Sequence, residues 1–545
     1  MIAAGLVVFL PLFPELLVQL HSTIDFRALL RTLYYPGILS VFLLSPALVL
    51  PDRWAGRWIA ALAAVFALPT AVCAFYALAH GTRWNLTAHT AAFQSNASES
   101  LGYLQSFVTV GRLAGVLVIL AAFLGAAWLA VRSELPRRRT RFVALAAMTI
   151  LCSYGALNVL RFGRDVIRPV KTETSNPVLL FGVGGITSHP LVIIPATHFN
   201  YHSTRDYYLT RFKALDARLH ELSGARLLGP TSPRLLVVVI GESANRLHWS
   251  LYGYKRPTTP RLDSMRSELF VFSDVVSTTV GTLSSIRSMF TADRETLPVF
   301  PLFSNAGYTT HWISSQMGEG FDDLELGALV ASCDHRVFLG GAFDENLLPH
   351  LQHAIQRPGP QLVFLNLMGS HIRYSDRYPA RFARFDGHDE VSKVRATYDN
   401  SIYYTDHVLG EIIEMLRLAG ESACLLYASD HGEDVYDSTT QRLLFRDEST
   451  ASNAMFEVPY FVWLSSAYRK QHPEIVDRLT RSVDRPYQNR EMFHPLLSLT
   501  RLDHSLYDAT RDPLSDRFVV RPRPIGAAGR IYERAPAVVA TVGEQ

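Results

Sequence analysis

Side chains that can bind a metal ion follow three short apolar runs of the sequence. In chain order they are Glu242 after residues 235–240, His371 after residues 362–367, and Asp430 with His431 after residues 424–428. Zinc accepts carboxylate oxygen and imidazole nitrogen together. Each signal is weak alone, because an isolated Asp-His pair usually only hydrogen-bonds a loop. Their conjunction predicts a mononuclear or binuclear metal site.

A hydroxyl-rich stretch supplies candidates for a nucleophile beside such a metal. Residues 277–285 read Ser-Thr-Thr-Val-Gly-Thr-Leu-Ser-Ser. A hydroxyl is a poor nucleophile at neutral pH until a metal lowers its pKa. Backbone N–H groups at the start of a predicted helix over residues 284–290 could also hold phosphate oxygens. Composition alone does not choose among these hydroxyls, and a Thr/Ser helix cap is the alternative interpretation.

The same apolar runs predict the element that positions these groups. They show no polar alternation, as in parallel strands that are covered on both faces. Helical stretches, such as residues 402–418, lie between them. Strands alternating with helices predict an α/β domain with a mostly parallel central sheet, whose site lies at the carboxyl ends of the strands.

The first third of the chain contains the apolar segments that a membrane domain needs. A hydrocarbon core about 30 Å thick requires a helix of roughly 20 apolar residues. The predicted transmembrane segments are residues 2–20, 33–50, 58–79, 113–131 and 142–160. Arginines crowd the loop 132–141, which predicts a cytoplasmic loop. The loop 80–112 and everything after residue 161 are then expected on the opposite face.

This division predicts a transmembrane helical domain over residues 1–161, a linker over residues 162–233 and a soluble domain over residues 234–545. In the linker, apolar residues recur at helical spacing, at Leu209, Phe212, Leu215, Leu219 and Leu222. An interfacial helix at a membrane surface explains this pattern. An amphipathic linker helix on the soluble domain explains it equally well.

Charge and cysteine content exclude some classes of function. The formal net charge is +3, and Lys and Arg form no long stripe that could follow a phosphate backbone, so no nucleic acid is expected as a partner. The cysteines form no Cys-x-x-Cys motif of a metal or redox site. Cys424 starts an apolar run and is expected to be a small core hydrophobe.

Ordered motifs over nearly the whole chain resemble those of the bacterial phosphoethanolamine transferases, which include lipid A modifiers and the mobile colistin-resistance enzymes. The motifs are Val-Val-Ile-Gly-Glu242-Ser, Tyr252-Gly-Tyr, Pro257-Thr-Thr-Pro260, Gly281-Thr282, Trp312-Ile-Ser-Ser-Gln316, Gly369-Ser-His371, Tyr398-Asp-Asn-Ser-Ile402, Tyr404-Thr-Asp406, Ser429-Asp-His-Gly432 and Val458-Pro459. The resemblance implies five transmembrane helices and a sulfatase-type catalytic domain with an alkaline-phosphatase-like α/β fold over residues 234–545.

The resemblance also implies the composition of the site. Zinc would be held by the residues that match the family's ligands, which are Glu242, Thr282, Asp430 and His431. One zinc ion is expected and a second is left open. Thr282 would take phosphoethanolamine from phosphatidylethanolamine and pass it to a lipopolysaccharide or glycan acceptor. His371 matches a histidine near the substrate phosphate, acting as a ligand of a second metal or as a general acid.

Further expectations concern the lipid head group and the acceptor. Ser95 and Glu99 match the family's loop near the lipid head group, with an ordinary polar interfacial loop as the alternative. The resemblance implies a multi-pass protein of the bacterial inner membrane with a periplasmic catalytic domain. Val280 stands where lipid A modifiers carry a cysteine, and no histidine lies between Phe445 and Val458. The chain is therefore expected nearer to the branch that modifies the lipopolysaccharide core or periplasmic glucan.

Two other functions compete with this interpretation. A glycerol-phosphate transferase of the lipoteichoic-acid-synthase type shares five helices and a threonine nucleophile, although Glu242-Ser243 and Gly369-Ser-His371 favour the phosphoethanolamine branch. A catalytically silent envelope protein would only bind lipid or glycan, and the complete set of matching ligands argues against it. A sulfatase is disfavoured because the sequence has no Cys-x-Pro-x-Arg motif.

Overall fold

In the computed structural model the chain divides into two compact units. They comprise Met1–Asp206 and Tyr207–Gln545 and are called the N-terminal and C-terminal units below. The structure describes residues 2–20, 36–85, 88–89, 92–93, 97–132, 189–228, 233–294, 296–316, 325–438, 444–446, 452–526 and 529–534. The division between the units falls inside the predicted linker, and the predicted boundary at residue 161 lies outside the described ranges.

Two helices of the N-terminal unit, Asp52–His80 and Val110–Arg132, are long and apolar enough to cross a membrane. At 1.5 Å per residue they measure about 44 Å and about 35 Å. They contain the predicted segments 58–79 and 113–131. The first two predicted segments meet only the shorter apolar helices Ile2–Val18 and Pro36–Val49. The fifth segment, 142–160, lies outside the described residues, so five transmembrane helices stay a prediction.

Small side chains let these two long helices approach each other closely. Ala63 and Ala126 are fully buried between neighbouring apolar residues, and Phe66 and Phe123 belong to the same buried cluster. A Cβ at Gly56 would lie 2.4 Å from the carbonyl oxygen of Ala130. Glycine and alanine permit such close helix pairs where packing, and not only hydrophobic burial, drives association.

The C-terminal unit is built on a seven-stranded sheet. In chain order its strands are β1 Leu235–Gly241, β2 Leu269–Val271, β3 Thr309–Ser314, β4 His335–Phe338, β5 Gln361–Asn366, β6 Ala423–Ser429 and β7 Tyr460–Leu464. Their order across the sheet is β2-β7-β6-β1-β5-β3-β4. The five strands from β6 to β4 are parallel, whereas β7 runs antiparallel to both of its neighbours. The three strands predicted from apolar runs are confirmed as β1, β5 and β6.

The central strand β1 is buried on both faces, since all of its residues are inaccessible to solvent. Leu236, Val238 and Ile240 belong to one core, and Leu235, Val237 and Val239 belong to the other. Successive side chains of a strand point to opposite faces. One apolar run therefore supplies two cores, which is why it shows no polar alternation.

Two helices of this unit matter most for the site, α1 (Thr282–Met289) and α2 (Glu390–Leu418). Helix α1 begins two residues before the predicted start at 284. Helix α2 begins well before the predicted residue 402, where Asp389 and Ser392 form a capping box. Its early turns bury polar side chains such as Asp399 and Asn400, so apolar periodicity does not reveal them.

The two units contain further described helices and short strand pairs. Other α-helices are Ile2–Phe9, Phe13–Leu20, Pro46–Val49, Ala97–Phe107, Pro190–Lys213, Pro260–Ser264, Phe300–Asn305, Glu325–Val330, Leu348–Gln356, Ser466–Gln471, Pro473–Ser482 and Phe493–Thr500. Short strand pairs outside the main sheet are Arg226–Leu227 with Leu502–Asp503, Asp434–Val435 with Leu444–Phe445, Val275–Val276 with Tyr487–Gln488, and Pro524–Ile525 with Arg530–Ile531.

The amphipathic pattern of the linker is explained by packing within the C-terminal unit. Phe212 and Leu222 are buried in its larger core, and Leu215 packs against that core. This supports the linker-helix interpretation over the interfacial one for these residues. Cys333 and Cys424 are both buried and unpaired among the described residues, and Cys424 lies within β6 as a core residue.

Candidate metal centre

Neighbouring parallel strands bring two of the predicted ligands to one edge of the sheet. Strands β1 and β6 pair so that Gly241 faces Ser429. Glu242 and Asp430 are the next residues along the two strands, and the Asp430 N–H donates to the Gly241 carbonyl at 2.9 Å. The two carboxylates therefore leave the sheet side by side, with His431 following directly.

Glu242, Asp430 and His431 form a compact cluster. One ligand atom from each lies within 4.8 Å of the other two. Glu242 is 1% exposed, and Asp430 and His431 are fully buried. Two carboxylate oxygens and an imidazole nitrogen are a donor set that zinc accepts.

Thr282 lies against this cluster as the first residue of α1. Its hydroxyl donates to Oε2 of Glu242 at 3.0 Å and lies 3.3 Å from Nε2 of His431. Gly281, in extended conformation, is the N-cap residue that precedes it. Of the hydroxyls in residues 277–285, the structure aims that of Thr282 at the cluster, while Ser284 bonds to the Gly281 carbonyl and Thr279.

A hydrogen bond orients the His431 ring for metal binding. Nδ1 lies 2.8 Å from the Gly432 carbonyl oxygen. Because a carbonyl only accepts, Nδ1 carries the proton and Nε2 keeps its lone pair. That lone pair faces Glu242 at 3.4 Å and Asp430 at 3.2 Å.

The electrostatics of the cluster also fit a cation. Burial alone would raise the pKa of Glu242, but the Arg446 guanidinium holds it well below its usual range. Burial and the adjacent Glu242 charge raise the pKa of Asp430 well above its usual range. Burial and Arg446 lower the pKa of His431, which is neutral at pH 7. Two buried carboxylates that repel each other are stabilised by a divalent ion between them.

An unsatisfied oxygen points to the same conclusion. Asp430 Oδ1 accepts the N–H groups of Ser243 and His431 at 3.1 Å and 2.7 Å. Asp430 Oδ2 is buried and receives no hydrogen bond from the described residues. Buried oxygens without a donor are rare, and a metal ion satisfies one as a hydrogen bond would. The residues present therefore fit a bound metal ion.

His371 lies beside this cluster but outside it. It follows β5, and its N–H donates to the Met368 carbonyl. Burial lowers the pKa of His371 to about 4, an effect that the nearby Glu242 carboxylate opposes. Nδ1 of His371 has no hydrogen-bond partner among the described residues. The imidazole is thus neutral at pH 7, and one of its ring nitrogens can accept a hydrogen bond or bind a metal ion near the cluster.

Two further residues were predicted to contact a lipid head group. Ser95 lies outside the described residues. Glu99 belongs to the helix Ala97–Phe107 of the N-terminal unit.

Three residues of the centre were missed from the sequence. Arg446 donates to Glu242 Oε1 at 2.8 Å, Gln316 Nε2 donates to Glu242 Oε2 at 3.1 Å, and Asn489 Nδ2 donates to the Asp430 carbonyl at 3.0 Å. Gln316 ends the motif Trp312-Ile-Ser-Ser-Gln316, so the sequence marked it, but no role in the site was predicted for it. Arg446 and Asn489 lie in stretches with no apolar run or motif to mark them.

Helix α2 secures the loop that carries Glu242. The Tyr398 hydroxyl donates to the Ser243 carbonyl at 2.7 Å and accepts the Asn245 N–H at 2.8 Å. Ser243 has a φ of 57°, in the left-handed region that non-glycine residues seldom adopt. The tyrosine therefore holds a strained turn directly after the candidate ligand Glu242.

A buried histidine with two carboxylates supports the same loops. His248 Nδ1 lies 2.7 Å from Asp399 and Nε2 lies 3.0 Å from Asp437. Burial opposes the charged imidazolium, but the hydrogen bonds to Asp399 and Asp437 raise the pKa of His248 to about 9. Arg256 also pairs with Asp399 at 2.7 Å. The network links the loop after β1 to α2 and to the segment after β6.

This network predicts a stability that depends on pH. Because the folded pKa of His248 exceeds the unfolded value near 6.5, its stabilisation is complete below about pH 6.5 and is lost as pH rises through about 9. The difference corresponds to about 3 kcal/mol. We expect His248→Gln to lower the unfolding free energy at pH 7 and to remove this loss between pH 7 and 10. Denaturant titrations of the full chain in detergent measure it, with the exposed His388→Gln as control. An unchanged pH profile in His248→Gln would contradict the assignment.

Comparison with known proteins places this fold and site. A family model described as Sulfatase matches residues 234–502. Phosphoethanolamine transferase EptC of Escherichia coli K12 is 31% identical over 322 residues, covering 54% of this chain and 55% of that protein. The chain thus spans about half the length of the curated relatives it matches.

Solved structures extend the comparison. The crystal structure of the C-terminal periplasmic domain of EptC from Escherichia coli has a TM-score of 0.53 and 30% identity, covering 56% of this chain and 93% of that domain. The same domain in complex with Zn gives a TM-score of 0.53 at 29% identity. The integral membrane lipooligosaccharide phosphoethanolamine transferase A (EptA) of Neisseria meningitidis shares the fold, with a TM-score of 0.65, 18% identity and coverage of 93% of this chain and 98% of that one.

The mostly parallel sheet and the carboxylate-histidine cluster at its carboxyl edge lie within the residues that the Sulfatase model matches, so the C-terminal unit contains a sulfatase-type domain. The predicted soluble fold is thereby confirmed. With 30% identity over nearly the whole EptC domain, the chain belongs to the phosphoethanolamine transferase family.

Proposed function

We propose that this protein is a zinc-dependent transferase that moves phosphoethanolamine from phosphatidylethanolamine to an envelope glycan or lipopolysaccharide through a covalent intermediate on Thr282. The observation that carries the proposal is the Thr282 hydroxyl, held 3.0 Å from Glu242 and 3.3 Å from His431. Ser243 also bonds Glu242, but the Thr282 hydroxyl lies against both Glu242 and His431, which makes it the natural nucleophile in a member of this family.

Glu242, Asp430, His431 and the Thr282 hydroxyl would hold the zinc ion. The ion would lower the pKa of the Thr282 hydroxyl and offset negative charge on the transferred phosphoryl group. Glu242 orients the hydroxyl through its hydrogen bond, and Gln316 in turn fixes Glu242. The complex of the related EptC domain with Zn supports the choice of metal.

The reaction consists of two displacements at phosphorus. In the first, a bond forms between Thr282 Oγ1 and phosphorus while the bond from phosphorus to the glycerol oxygen breaks, and diacylglycerol leaves with the proton of the hydroxyl. In the second, a bond forms between an acceptor oxygen and phosphorus while the Thr282 Oγ1–phosphorus bond breaks, and Thr282 Oγ1 takes up the proton that the acceptor releases. A neutral His371, with a pKa near 4, suits a lone-pair role towards a second ion or a substrate donor better than that of a general acid at pH 7.

The proposal also includes the location of the protein and the acceptor. The apolar helices Asp52–His80 and Val110–Arg132 would anchor the chain in the bacterial inner membrane, beside its lipid donor. The soluble unit would then be periplasmic. An acceptor in the lipopolysaccharide core or periplasmic glucan is proposed over lipid A, because Val280 stands where the resemblance implies a cysteine in lipid A modifiers and no histidine lies between Phe445 and Val458.

The deciding experiment is mass spectrometry of the full-length, zinc-loaded protein after incubation with phosphatidylethanolamine. We expect a phosphoethanolamine adduct on the peptide that contains Thr282. Phosphatidylglycerol is the matched control and should give no adduct. An adduct from phosphatidylglycerol alone would indicate a glycerol-phosphate transferase, and absence of any adduct would refute the proposal in favour of a binding protein.

Gly369 gives a separate test of how the centre is positioned. It has a φ of +49°, and a Cβ there would lie 2.9 Å from the Glu242 carbonyl oxygen and 3.0 Å from its nitrogen. We expect Gly369→Ala to shift Glu242 and to slow adduct formation about a hundredfold.

Gly359→Ala is the control for backbone strain alone. Gly359 also has a positive φ, +78°, but its Cβ would meet open space. The Gly359→Ala substitution should lower the free energy of unfolding by about 1 kcal/mol and leave phosphoethanolamine transfer intact. Equal transfer rates in the two variants would show that Gly369 does not position Glu242.

A further inference from the structure

Arg446 places a permanent positive charge among the candidate ligands. Its Nη1 donates to Glu242 Oε1 and to Ser243 Oγ, each at 2.8 Å, and it also contacts Nε2 of His431. The side chain is only 12% exposed. A guanidinium stays protonated at every physiological pH. Its charge therefore contributes to the centre under all conditions of the reaction.

Arg446 and a bound metal ion would compete for the same atom of His431. Since Nδ1 of His431 donates to the Gly432 carbonyl, Nε2 offers a single lone pair. A divalent ion held by the cluster would use that lone pair, and Arg446 contacts the same atom. One lone pair cannot serve both. An ion that binds here must displace the guanidinium from His431.

A displaced Arg446 remains next to the nucleophile. Thr282 Oγ1 bonds Glu242 and lies beside His431, the same two residues that Arg446 contacts. Of the described residues that hydrogen-bond to the Glu242 side chain, which are Ser243, Thr282, Gln316 and Arg446, only Arg446 carries a permanent positive charge. The planar fork of a guanidinium matches two phosphate oxygens. At this position the anion available to Arg446 is the phosphoryl group that is transferred to Thr282.

We propose that Arg446 exchanges partners: it bonds the ligand atoms of the centre until a divalent ion takes them, and then binds the non-bridging oxygens of the phosphodiester donor. This inference rests on the proposed function. During the first displacement the Thr282 Oγ1–phosphorus bond forms, the phosphorus–glycerol oxygen bond breaks, and Arg446 neutralises charge on the oxygens that do not react. Metal loading thereby also prepares the substrate site.

The test measures zinc affinity and adduct formation separately in the full-length protein in detergent. Competition with a chromophoric chelator gives the affinity, and mass spectrometry with phosphatidylethanolamine micelles gives the rate of Thr282 adduct formation. We expect Arg446→Gln to bind zinc at least about tenfold more tightly, because the ion no longer displaces a charge-assisted hydrogen bond. We expect the same variant to form the adduct about a hundredfold more slowly.

If Arg446 were only structural, its replacement would weaken zinc binding and slow adduct formation together. Tighter zinc binding with slower adduct formation therefore distinguishes the proposed role from a structural one. Arg384→Gln is the control, because it removes an exposed guanidinium that bonds the Tyr403 hydroxyl, and it should change neither property. Zinc binding by Arg446→Gln no tighter than in wild type, or adduct formation at the wild-type rate, overturns the inference.

If Arg446→Gln does not fold, Arg446→Lys replaces it in both measurements. Lysine keeps the positive charge but lacks the planar fork of the guanidinium. We therefore expect adduct formation about tenfold slower, with zinc binding no weaker than in wild type. A wild-type rate in that variant overturns the inference. A wild-type protein that forms no adduct refutes the proposed function, while the zinc affinities still decide whether Arg446 competes with the ion.

Discussion

Replacing Thr282 with alanine is expected to abolish the Thr282 adduct and to reduce phosphoethanolamine transfer by at least about a thousandfold. The substitution removes the hydroxyl that donates to Glu242 and lies beside His431. It also removes a proposed metal ligand, so nucleophile and metal environment are lost together. Mass spectrometry and release of diacylglycerol from phosphatidylethanolamine measure the two consequences.

Ser284→Ala is the matched control for this prediction. Ser284 lies in the same first turn of α1, but its hydroxyl bonds the Gly281 carbonyl at 3.0 Å and not the cluster. We expect it to transfer at nearly the wild-type rate. Retained transfer in Thr282→Ala with loss in Ser284→Ala would mean that the nucleophile is wrongly assigned.

Asp430→Asn is expected to weaken zinc binding by more than about a hundredfold and to lower transfer in parallel. Asparagine keeps an oxygen that can accept the N–H groups of Ser243 and His431, so the loop retains its hydrogen bonds. It loses the charge, and the Oδ2 position that has no donor among the described residues becomes an amide. Metal content after dialysis and adduct formation are the measurements.

Asp512→Asn is a control for the loss of any buried carboxylate. Asp512 is fully buried and accepts from Ser498, Tyr507 and the Leu514 N–H, away from the cluster. It should lower thermal stability without changing metal content. Stoichiometric zinc and full turnover in Asp430→Asn would exclude Asp430 as a ligand.

Local patterns in the sequence were enough to predict part of the fold. The runs that became β1, β5 and β6 are continuous because each strand supplies two cores at once. The edge made by β7 and the three-residue β2 was not predicted, since β2 is too short to carry a periodic signal. The N-terminal half of α2 was missed because it buries Asp399, Asn400 and other polar groups instead of an apolar stripe.

The candidate site divides along the same line. Glu242, Asp430 and His431 could be anticipated because each directly follows an apolar strand, and parallel strands end at a common edge. The resemblance to a family selected Thr282 among several hydroxyls, and the structure then aimed that hydroxyl at the cluster. Arg446 reaches Glu242 across 204 residues of sequence with no pattern to announce it.

The sequence by itself determined part of the elements: which continuous apolar runs become buried strands, which segments are apolar enough for a membrane, and which candidate ligands stand at strand ends. These depend on the period and polarity of neighbouring residues, so they are readable locally. Only the tertiary structure decided the partners: Gln316 on Glu242, Asp399 and Asp437 on His248, and Arg446 on His431. Such contacts join segments far apart in the chain, and their geometry is set by the packing of the whole sheet and its helices.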